Sequence, residues 1–195
     1  GACVNTCPQK AVTLDGEHKA QVAYTKCTAC GTCVDDCLQN ARELVGKEYE
    51  IKELVKKLER DILFYERSHG GVTLSGGEVL AQDIDYVEEL TRRLCDKGIA
   101  VDIDTCGHVP YERLNRVLPY TDTYLYDLKL MDPEKHKEYI GVDNHLILEN
   151  LKKLSADGAK INIRLPLIDG VNASDEHIDQ VIRFLKENDI RVWQV

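Results

Sequence analysis

Six of the eight cysteines lie before residue 38, and their spacing constrains this part of the fold more than any other feature of the sequence. The stretch YTKCTACGTCVDDC contains a C-x2-C-x2-C-x3-C run, and the opening stretch ACVNTCP matches the last part of a second run, C-x3-C-P. Two-residue gaps let a tight loop place three thiolates on three corners of a [4Fe-4S] cube, whose fourth corner needs a ligand from elsewhere. The predicted metal ligands are Cys3, Cys7, Cys27, Cys30, Cys33 and Cys37.

The two runs predict a pair of iron–sulfur sites that exchange ligands. In two-cluster ferredoxins the last cysteine of each run ligates the other cluster. Cys7 is therefore expected to complete the site of the first three cysteines of the later run, and Cys37 to join Cys3 on a second site, whose other two ligands are expected before the first residue. A zinc site is the alternative, because C-x2-C pairs also bind zinc, but the double run favours iron and sulfur.

Composition limits the remaining possibilities. Residues 1–46 show little hydrophobic periodicity and are typical of a small, cofactor-held module, whereas residues 47–195 have the pattern of a larger domain. The clustered cysteines favour a metal site and a reducing compartment over disulfides. The net charge of −9, with both signs interspersed, argues against nucleic acid as a partner, and the apolar runs are too short to cross a bilayer. We expect a cytoplasmic protein with neither a nucleic-acid nor a membrane partner.

The larger domain alternates short β-rich runs with helical ones. Strands are predicted at 72–75, 100–105, 123–129, 160–167 and 191–195, and helices at 48–68, 84–97, 110–117, 146–156 and 174–188, the last with Ser174 as its cap. Five strands separated by helices predict an α/β fold with a parallel sheet. The pattern alone leaves both an open doubly wound sheet and a (β/α) barrel possible.

Polar residues recur where these predicted strands end. The carboxyl ends of parallel strands are where α/β proteins bind ligands. Tandem glycines allow φ > 0 and close approach of the backbone to a ligand, and a carboxylate can accept from an ammonium group. Each residue alone is as well explained by a solvated loop, but together they predict a shared site. The candidate residues are Gly76, Gly77, Glu78, Asp104, Thr105, Asp127, Lys129 and Arg164.

Other reactive side chains have simpler explanations. The six histidines lie in polar contexts and are expected at the surface or as caps. Cys95, inside an amphipathic helix, is expected in the core. Cys106 follows a strand end near the predicted site, but packing is expected there rather than nucleophilic chemistry.

The motifs after the cysteine module are GVTLSGGEVLAQ, DTCGHVP, YDLKLMDPEKHKEYIGVDNHLILENL and INIRLPLIDGVN. In this ordered set the chain resembles the glycyl-radical-enzyme activating enzymes, radical S-adenosylmethionine (SAM) proteins often labelled pyruvate formate-lyase activating enzymes. The resemblance implies a partial parallel (β/α) barrel of the radical SAM type with a small two-cluster ferredoxin-like insert. It implies [4Fe-4S] clusters and SAM as cofactors, and reductive cleavage of SAM to a 5′-deoxyadenosyl radical that abstracts hydrogen from a glycine.

Partners and site residues also come from the resemblance. The implied partners are a glycyl radical enzyme, which is the protein substrate, and a flavodoxin- or ferredoxin-type electron donor. The glycine turn with Glu78 resembles the segment that meets the methionine end of SAM. The tripeptide Asp127-Leu128-Lys129 is similar to the family's SAM segment, in which Lys129 offers an ammonium group to the carboxylate. Asp104, Thr105 and Asp127 resemble a monovalent-cation site, with Arg164 as a further charge contact.

One family motif does not occur in the sequence. The family binds its catalytic cluster with C-x3-C-x2-C, and the 195 residues contain no such triad. The chain is therefore expected to be a truncated fragment with no catalytic residues of its own and no activity by itself. The alternative function is an iron–sulfur electron-transfer protein without catalysis of its own.

Overall fold

A computed structural model describes residues 1–190 of the chain. The strand predicted at 191–195 lies outside the described residues. Residue contacts divide the chain into two compact units, Gly1–Tyr49 and Glu50–Val195, and the first includes the whole of the predicted cysteine module. In the described part of the chain, no helix is both long enough and apolar enough to pass through a membrane.

The first unit has little regular structure. It contains helix α1 (Ala2–Thr6), the antiparallel strands β1 (Val12–Leu14) and β2 (Ala20–Val22), and the short helix α2 (Thr32–Asp35). Its buried hydrophobic residues are Cys3, Ala11 and Val12. So small a core supplies little hydrophobic stabilisation, which is typical of modules that depend on a metal.

The second unit is built on four parallel strands, which occur in the sheet in the order of the sequence. The strands are β3 (Gly71–Leu74), β4 (Ala100–Thr105), β5 (Thr123–Asp127) and β6 (Ile161–Arg164). The helices are α3 (Ile51–Leu58), α4 (Ile62–Ser68), α5 (Ile84–Cys95), α6 (Tyr111–Val117), α7 (Pro133–Ile140), α8 (His145–Ala156) and α9 (Asp175–Glu187). Parallel strands that alternate with helices confirm the predicted α/β class. The described strands follow one another in sequence order, without the reversal of a doubly wound sheet, which is the arrangement of a partial (β/α) barrel.

The two faces of the sheet differ in polarity. Along β4, Val101, Ile103 and Thr105 are buried, while Asp102 and Asp104 on the opposite face are less so. The buried face packs against apolar side chains of the helices. Alternation along a strand therefore places the polar residues on the other face, where a barrel has its interior.

Several helix predictions need correction. The helix predicted at 48–68 is two helices separated by a 3-10 turn, Glu59–Asp61. Its predicted end at residue 68 is confirmed, and the next residue, His69, adopts the left-handed conformation with φ of 53°. Helix α7 was not predicted, because its sequence PEKHKEYI has weak apolar periodicity. It is specified by its start, where the Asp132 carboxylate accepts from the Glu134 and Lys135 N–H groups at 2.9 and 3.0 Å.

Burial also differs from expectation at three reactive residues. Cys95 is exposed rather than in the core. His136 and His177 are buried, and His136 Nδ1 lies 2.6 Å from the Val142 carbonyl oxygen. Burial and the charge of Lys135 lower the pKa of His177, so this side chain is held neutral in the folded protein.

Candidate functional site

Four cysteines line one cavity in the first unit. The cavity has a volume of about 460 Å³, and its walls are otherwise mostly apolar. The cysteines that line it are Cys7, Cys27, Cys30 and Cys33. These four are the ligands that the spacing predicts for one complete cluster, whereas Cys3 and Cys37 do not line this cavity.

The last cysteine of each run lies in the same type of turn. Cys7 Sγ accepts a hydrogen bond from the Ala11 N–H at 3.2 Å, and Cys37 Sγ accepts one from the Ala41 N–H at 3.3 Å. The residue before each alanine is left-handed, with φ of 49° at Lys10 and 48° at Asn40. Such a conformation is costly for a residue with a side chain. The repeated pattern C-x-Q-x-A was a sequence signal for this shared turn, and sequence reasoning missed it.

Hydrogen bonds favour the thiolate form of two of the six predicted ligands, Cys30 and Cys37. The pKa of Cys30 is lowered chiefly by its hydrogen bond with the Thr32 hydroxyl, whose oxygen lies 3.4 Å from Sγ. The pKa of Cys37 is lowered chiefly by the Ala41 N–H group. The thiolate is the form that binds metals, so the direction of both pKa shifts agrees with the predicted ligand role.

A zinc ion and a [4Fe-4S] cluster require different arrangements of the cysteine sulfurs. A tetrahedral zinc site holds each sulfur about 2.3 Å from the metal, and therefore about 3.8 Å from its neighbours. Within residues 1–190, no group of three or more Cys, His, Asp or Glu side chains is arranged to hold one metal ion. In a [4Fe-4S] cluster each cysteine binds a different iron, so the thiolates surround a body. Four cysteines around a cavity match that requirement.

In the second unit, the glycine turn after β3 leaves space for a ligand. Gly76 and Gly77 have φ of 100° and 60°, which side chains disfavour. A Cβ atom built at either position would meet no other atom within 4 Å. The preceding Ser75 hydroxyl donates to Asp104 Oδ2 at 2.6 Å, so the turn is attached to the end of β4 while its backbone stays accessible.

The Glu78 carboxylate is fully engaged within the protein. Oε1 accepts from the Thr105 hydroxyl at 2.8 Å and the Leu80 N–H at 3.2 Å. Oε2 accepts from the Cys106 N–H at 3.0 Å and its thiol at 3.1 Å. A carboxylate has about four acceptor positions, so none remains for an ammonium group. Burial, together with Glu78, raises the pKa of Cys106, which keeps the thiol protonated as a donor.

Arg164 joins the two other carboxylates of the site. Its Nε donates to Asp127 Oδ1 at 2.8 Å and its Nη1 to Asp104 Oδ2 at 3.2 Å, with a further close contact between Nη2 and Asp104. Burial opposes the charge of Arg164, but the carboxylates outweigh it and raise its pKa. The Thr105 hydroxyl is bonded to Glu78 and Gly107 instead. The structure thus brings Asp104 and Asp127 together around Arg164, and does not bring the Thr105 side chain to them.

The tripeptide that follows β5 contributes three different environments. Lys129 Nζ lies 3.9 Å from Asp127 Oδ2 and is about one-third exposed. Leu128 is buried, and its N–H donates to the Arg164 carbonyl at 3.0 Å. Leu128 therefore anchors the segment in the core, while Lys129 is the cation of this segment that a ligand can reach.

Fold and site together define the class of protein: an α/β protein with a partial (β/α) barrel, a polar ligand-type edge at its strand ends and a four-cysteine module. No protein-family model matches the chain. It is 50% identical over 192 residues to the trans-4-hydroxy-L-proline dehydratase activating enzyme of Clostridioides difficile, covering 97% of the chain and 63% of that protein. It is 38% identical over 185 residues to the (2S)-3-sulfopropanediol dehydratase activating enzyme of Klebsiella oxytoca, covering 94% and 58%.

Solved structures agree with the fold. A domain of a pyruvate-formate lyase-activating enzyme from Bacteroides vulgatus matches with a TM-score of 0.52 and 26% identity, over 65% of this chain and 99% of that one. SuiB of Streptococcus suis, solved bound to S-adenosylmethionine, matches with a TM-score of 0.55 and 23% identity, over 77% of this chain and 34% of that one; this likeness concerns the fold alone. The chain is homologous to the glycyl-radical-enzyme activating enzymes, which confirms the resemblance, and spans about three fifths of the length of these curated relatives.

Proposed function

We propose that the chain provides the SAM-binding edge and an iron–sulfur module of a glycyl-radical-enzyme activating enzyme. The observation that carries the proposal is the cavity lined by four cysteines, in a chain that is 50% identical to a named activating enzyme. A module of this kind stores and passes single electrons, which reductive cleavage of SAM requires.

The cysteines have distinct roles in this proposal. Cys7, Cys27, Cys30 and Cys33 would hold one [4Fe-4S] cluster, and Cys3 and Cys37 would be ligands of a second. The cluster supplies one-electron chemistry when bound. The protein supplies the backbone N–H groups that orient the ligand sulfurs, as at Cys7 and Cys37, and an apolar wall. A flavodoxin- or ferredoxin-type protein is the proposed electron donor.

The carboxyl edge of the sheet would bind the methionyl end of SAM. The backbone of Gly76 and Gly77 is open to a ligand, and Lys129 would pair its ammonium group with the SAM carboxylate. Glu78 would act by holding the glycine turn against β4, since its oxygens already have donors. A monovalent cation beside Asp104 and Asp127 would compete with Arg164, which already forms ion pairs with both carboxylates.

The proposed protein substrate is a glycyl radical enzyme of the dehydratase or decarboxylase type. The named relatives at 38% identity or above activate dehydratases, and a relative at 36% identity activates 4-hydroxyphenylacetate decarboxylase. The difference between 50% and 38% identity makes a trans-4-hydroxy-L-proline dehydratase the first partner to test.

Equilibrium dialysis with labelled SAM tests the proposed binding edge. We expect the chain to bind SAM and Lys129→Gln to weaken binding about tenfold or more, as loss of a charge-assisted hydrogen bond does. Lys153→Gln removes the same charge from a lysine that pairs with Glu149 on α8 and serves as the control. Absence of SAM binding would instead favour the electron-transfer alternative.

The proposal also specifies what these residues do not do alone. Because they contain no C-x3-C-x2-C triad, we expect no 5′-deoxyadenosine when the iron-reconstituted chain is mixed anaerobically with SAM and dithionite. Release of one 5′-deoxyadenosine per chain would contradict this expectation and would require the catalytic cluster to bind at another cysteine set.

A further inference from the structure

Three buried asparagines hold the loops that follow β4, β5 and β6. Asn144, Asn150 and Asn172 are each no more than 3% exposed. Each amide nitrogen donates to two backbone carbonyls, so both of its hydrogens are used. The carbonyls belong to Gly107, Val109, Lys129, Leu130, Met131 and Pro166.

Asn172 connects two of these loops to each other. Its Nδ2 donates to the Lys129 carbonyl at 2.6 Å and to the Pro166 carbonyl at 2.9 Å. Its Oδ1 accepts from the Ile168 N–H at 2.7 Å. The loop after β5 is therefore attached to the loop after β6 through one side chain that has bonds on both of its polar atoms.

Asn172 binds the backbone of Lys129, the residue whose ammonium group would bind the carboxylate of SAM in the proposed site. Asn144 binds the next two carbonyls, those of Leu130 and Met131, at 2.9 and 2.8 Å, so three consecutive carbonyls are fixed from residue 129 onward. A buried carbonyl that loses its donor carries a desolvation cost, which makes this backbone hard to rearrange. Only the side-chain torsions of Lys129 remain free to direct its ammonium group.

We infer that Asn172 is a positioning residue for Lys129, and that it presets the Lys129 ammonium group for the carboxylate of an amino-acid-bearing ligand. The inference rests on the proposed SAM site and names a residue that acts on that site through the backbone. Binding sites gain affinity when their polar groups are held in place before the ligand arrives. Asn172 contributes to recognition in this way without touching the ligand.

The ratio of the affinities for SAM and decarboxylated SAM distinguishes the positioning of Lys129 from a general loss of stability. Decarboxylated SAM has the sulfonium, adenosine and amine of SAM but lacks the carboxylate that Lys129 would bind. By equilibrium dialysis, we expect the wild-type chain to bind SAM more tightly than decarboxylated SAM. Asn172→Ala should weaken SAM binding about tenfold, as loss of one charge-assisted hydrogen bond does, and remove most of this preference. When Asn172→Ala is added to the Lys129→Gln variant, the preference for SAM over decarboxylated SAM should not fall any further.

Two other asparagines are matched controls. Asn150→Ala frees the Gly107 and Val109 carbonyls, which belong to the loop after β4. Asn188→Ala removes the hydrogen bond from the Asn188 amide to the Phe184 carbonyl at the end of α9, at 2.8 Å, while the backbone N–H of residue 188 still donates to that carbonyl. Both variants should keep the preference for SAM over decarboxylated SAM, even where they lower the thermal midpoint of unfolding.

The outcomes separate the inference from the proposed function. An Asn172→Ala chain that keeps the full wild-type preference would overturn the inference and leave the SAM site intact. A wild-type chain that binds both compounds equally, or neither, would overturn the proposed site and the inference with it. Should Asn172→Ala not fold, as judged by circular dichroism, Asn144→Ala disturbs the same backbone segment. An unchanged preference in Asn144→Ala would then overturn the inference.

Discussion

Replacing Gly107 with alanine should destabilise the second unit more than any other glycine-to-alanine change at its left-handed loop positions. Gly107 has φ of 69°, and an added Cβ would lie 1.8 Å from the Tyr126 hydroxyl oxygen and 2.3 Å from the ring carbon that bears it. Tyr126 is fully buried, and its hydroxyl donates to the Ile147 carbonyl at 2.7 Å. The methyl group therefore cannot fit unless a core aromatic ring moves.

Three separate costs contribute to the loss of unfolding free energy that we expect for Gly107→Ala. A left-handed alanine costs roughly 1 to 2 kcal/mol. Displacing the ring breaks its hydrogen bond and leaves a buried carbonyl without a donor, at about 1 to 3 kcal/mol, and overpacking of the core adds about 1 to 3 kcal/mol. We expect Gly107→Ala to lower the free energy of unfolding by about 4 kcal/mol, which is exceptional for a single methyl group.

Urea unfolding followed by far-UV circular dichroism measures this loss. Gly158→Ala is the matched control, because Gly158 has φ of 82° but a Cβ there would meet nothing within 4 Å. It should lose only the roughly 1 to 2 kcal/mol of a left-handed alanine. Removing the nearest atom with Tyr126→Phe should make the double variant less destabilised than the two single losses predict. If Gly107→Ala loses no more than Gly158→Ala, the packing of Tyr126 against this loop is wrong.

Three further changes test other parts of the account. Glu78→Gln places an amide nitrogen among hydrogen-bond donors and should lower the free energy of unfolding in urea titrations by about 2 to 3 kcal/mol. The control Glu149→Gln, at an exposed ion pair, should lower it by under about 1 kcal/mol. Equal losses would contradict the arrangement of four donors around Glu78. Arg164→Met leaves Asp104 and Asp127 without their shared cation, so its thermal midpoint should fall and partly recover as salt is added, and a midpoint independent of salt would count against this. Burial lowers the pKa of His177 below 6.5, so the unfolded chain binds a proton at this position at a higher pH than the folded chain does. The free energy of unfolding should therefore fall by up to about 1.4 kcal/mol per pH unit as pH drops below 6.5. His177→Leu should reduce this slope, and a slope that is the same in the variant and the wild type would show that His177 is not buried in its neutral form.

Local signals were sufficient for much of the fold. Strand β4 was predicted at its observed bounds, Ala100–Thr105, because a β-rich run there lies between two clear helical patterns. Ser174 was predicted as the cap of α9, and its hydroxyl accepts from the His177 N–H at 3.3 Å. The short strands β1 and β2 were missed because three residues each are too few to show a period.

The site was predictable as a set of residues but not as a set of contacts. The sequence indicated that Glu78, Asp104 and Arg164 would lie at one edge, because the ends of parallel strands meet there. It could not indicate that Arg164 binds Asp104, 60 residues away, or that Glu78 accepts from Cys106, 28 residues away. The buried asparagines were missed for the same reason, since nothing in the sequence near Asn172 shows which carbonyls it binds.

Native mass spectrometry of the anaerobically reconstituted chain tests the central claim most directly. If Cys7, Cys27, Cys30 and Cys33 surround a cluster, the wild-type chain should gain the mass of one [4Fe-4S] unit, Cys27→Ser should lose most of that species, and Cys95→Ser should retain it because Cys95 lies on an exposed helix end in the second unit. A chain that takes up only single zinc ions, or a Cys27→Ser variant that assembles the cluster as well as the wild type, would contradict the account.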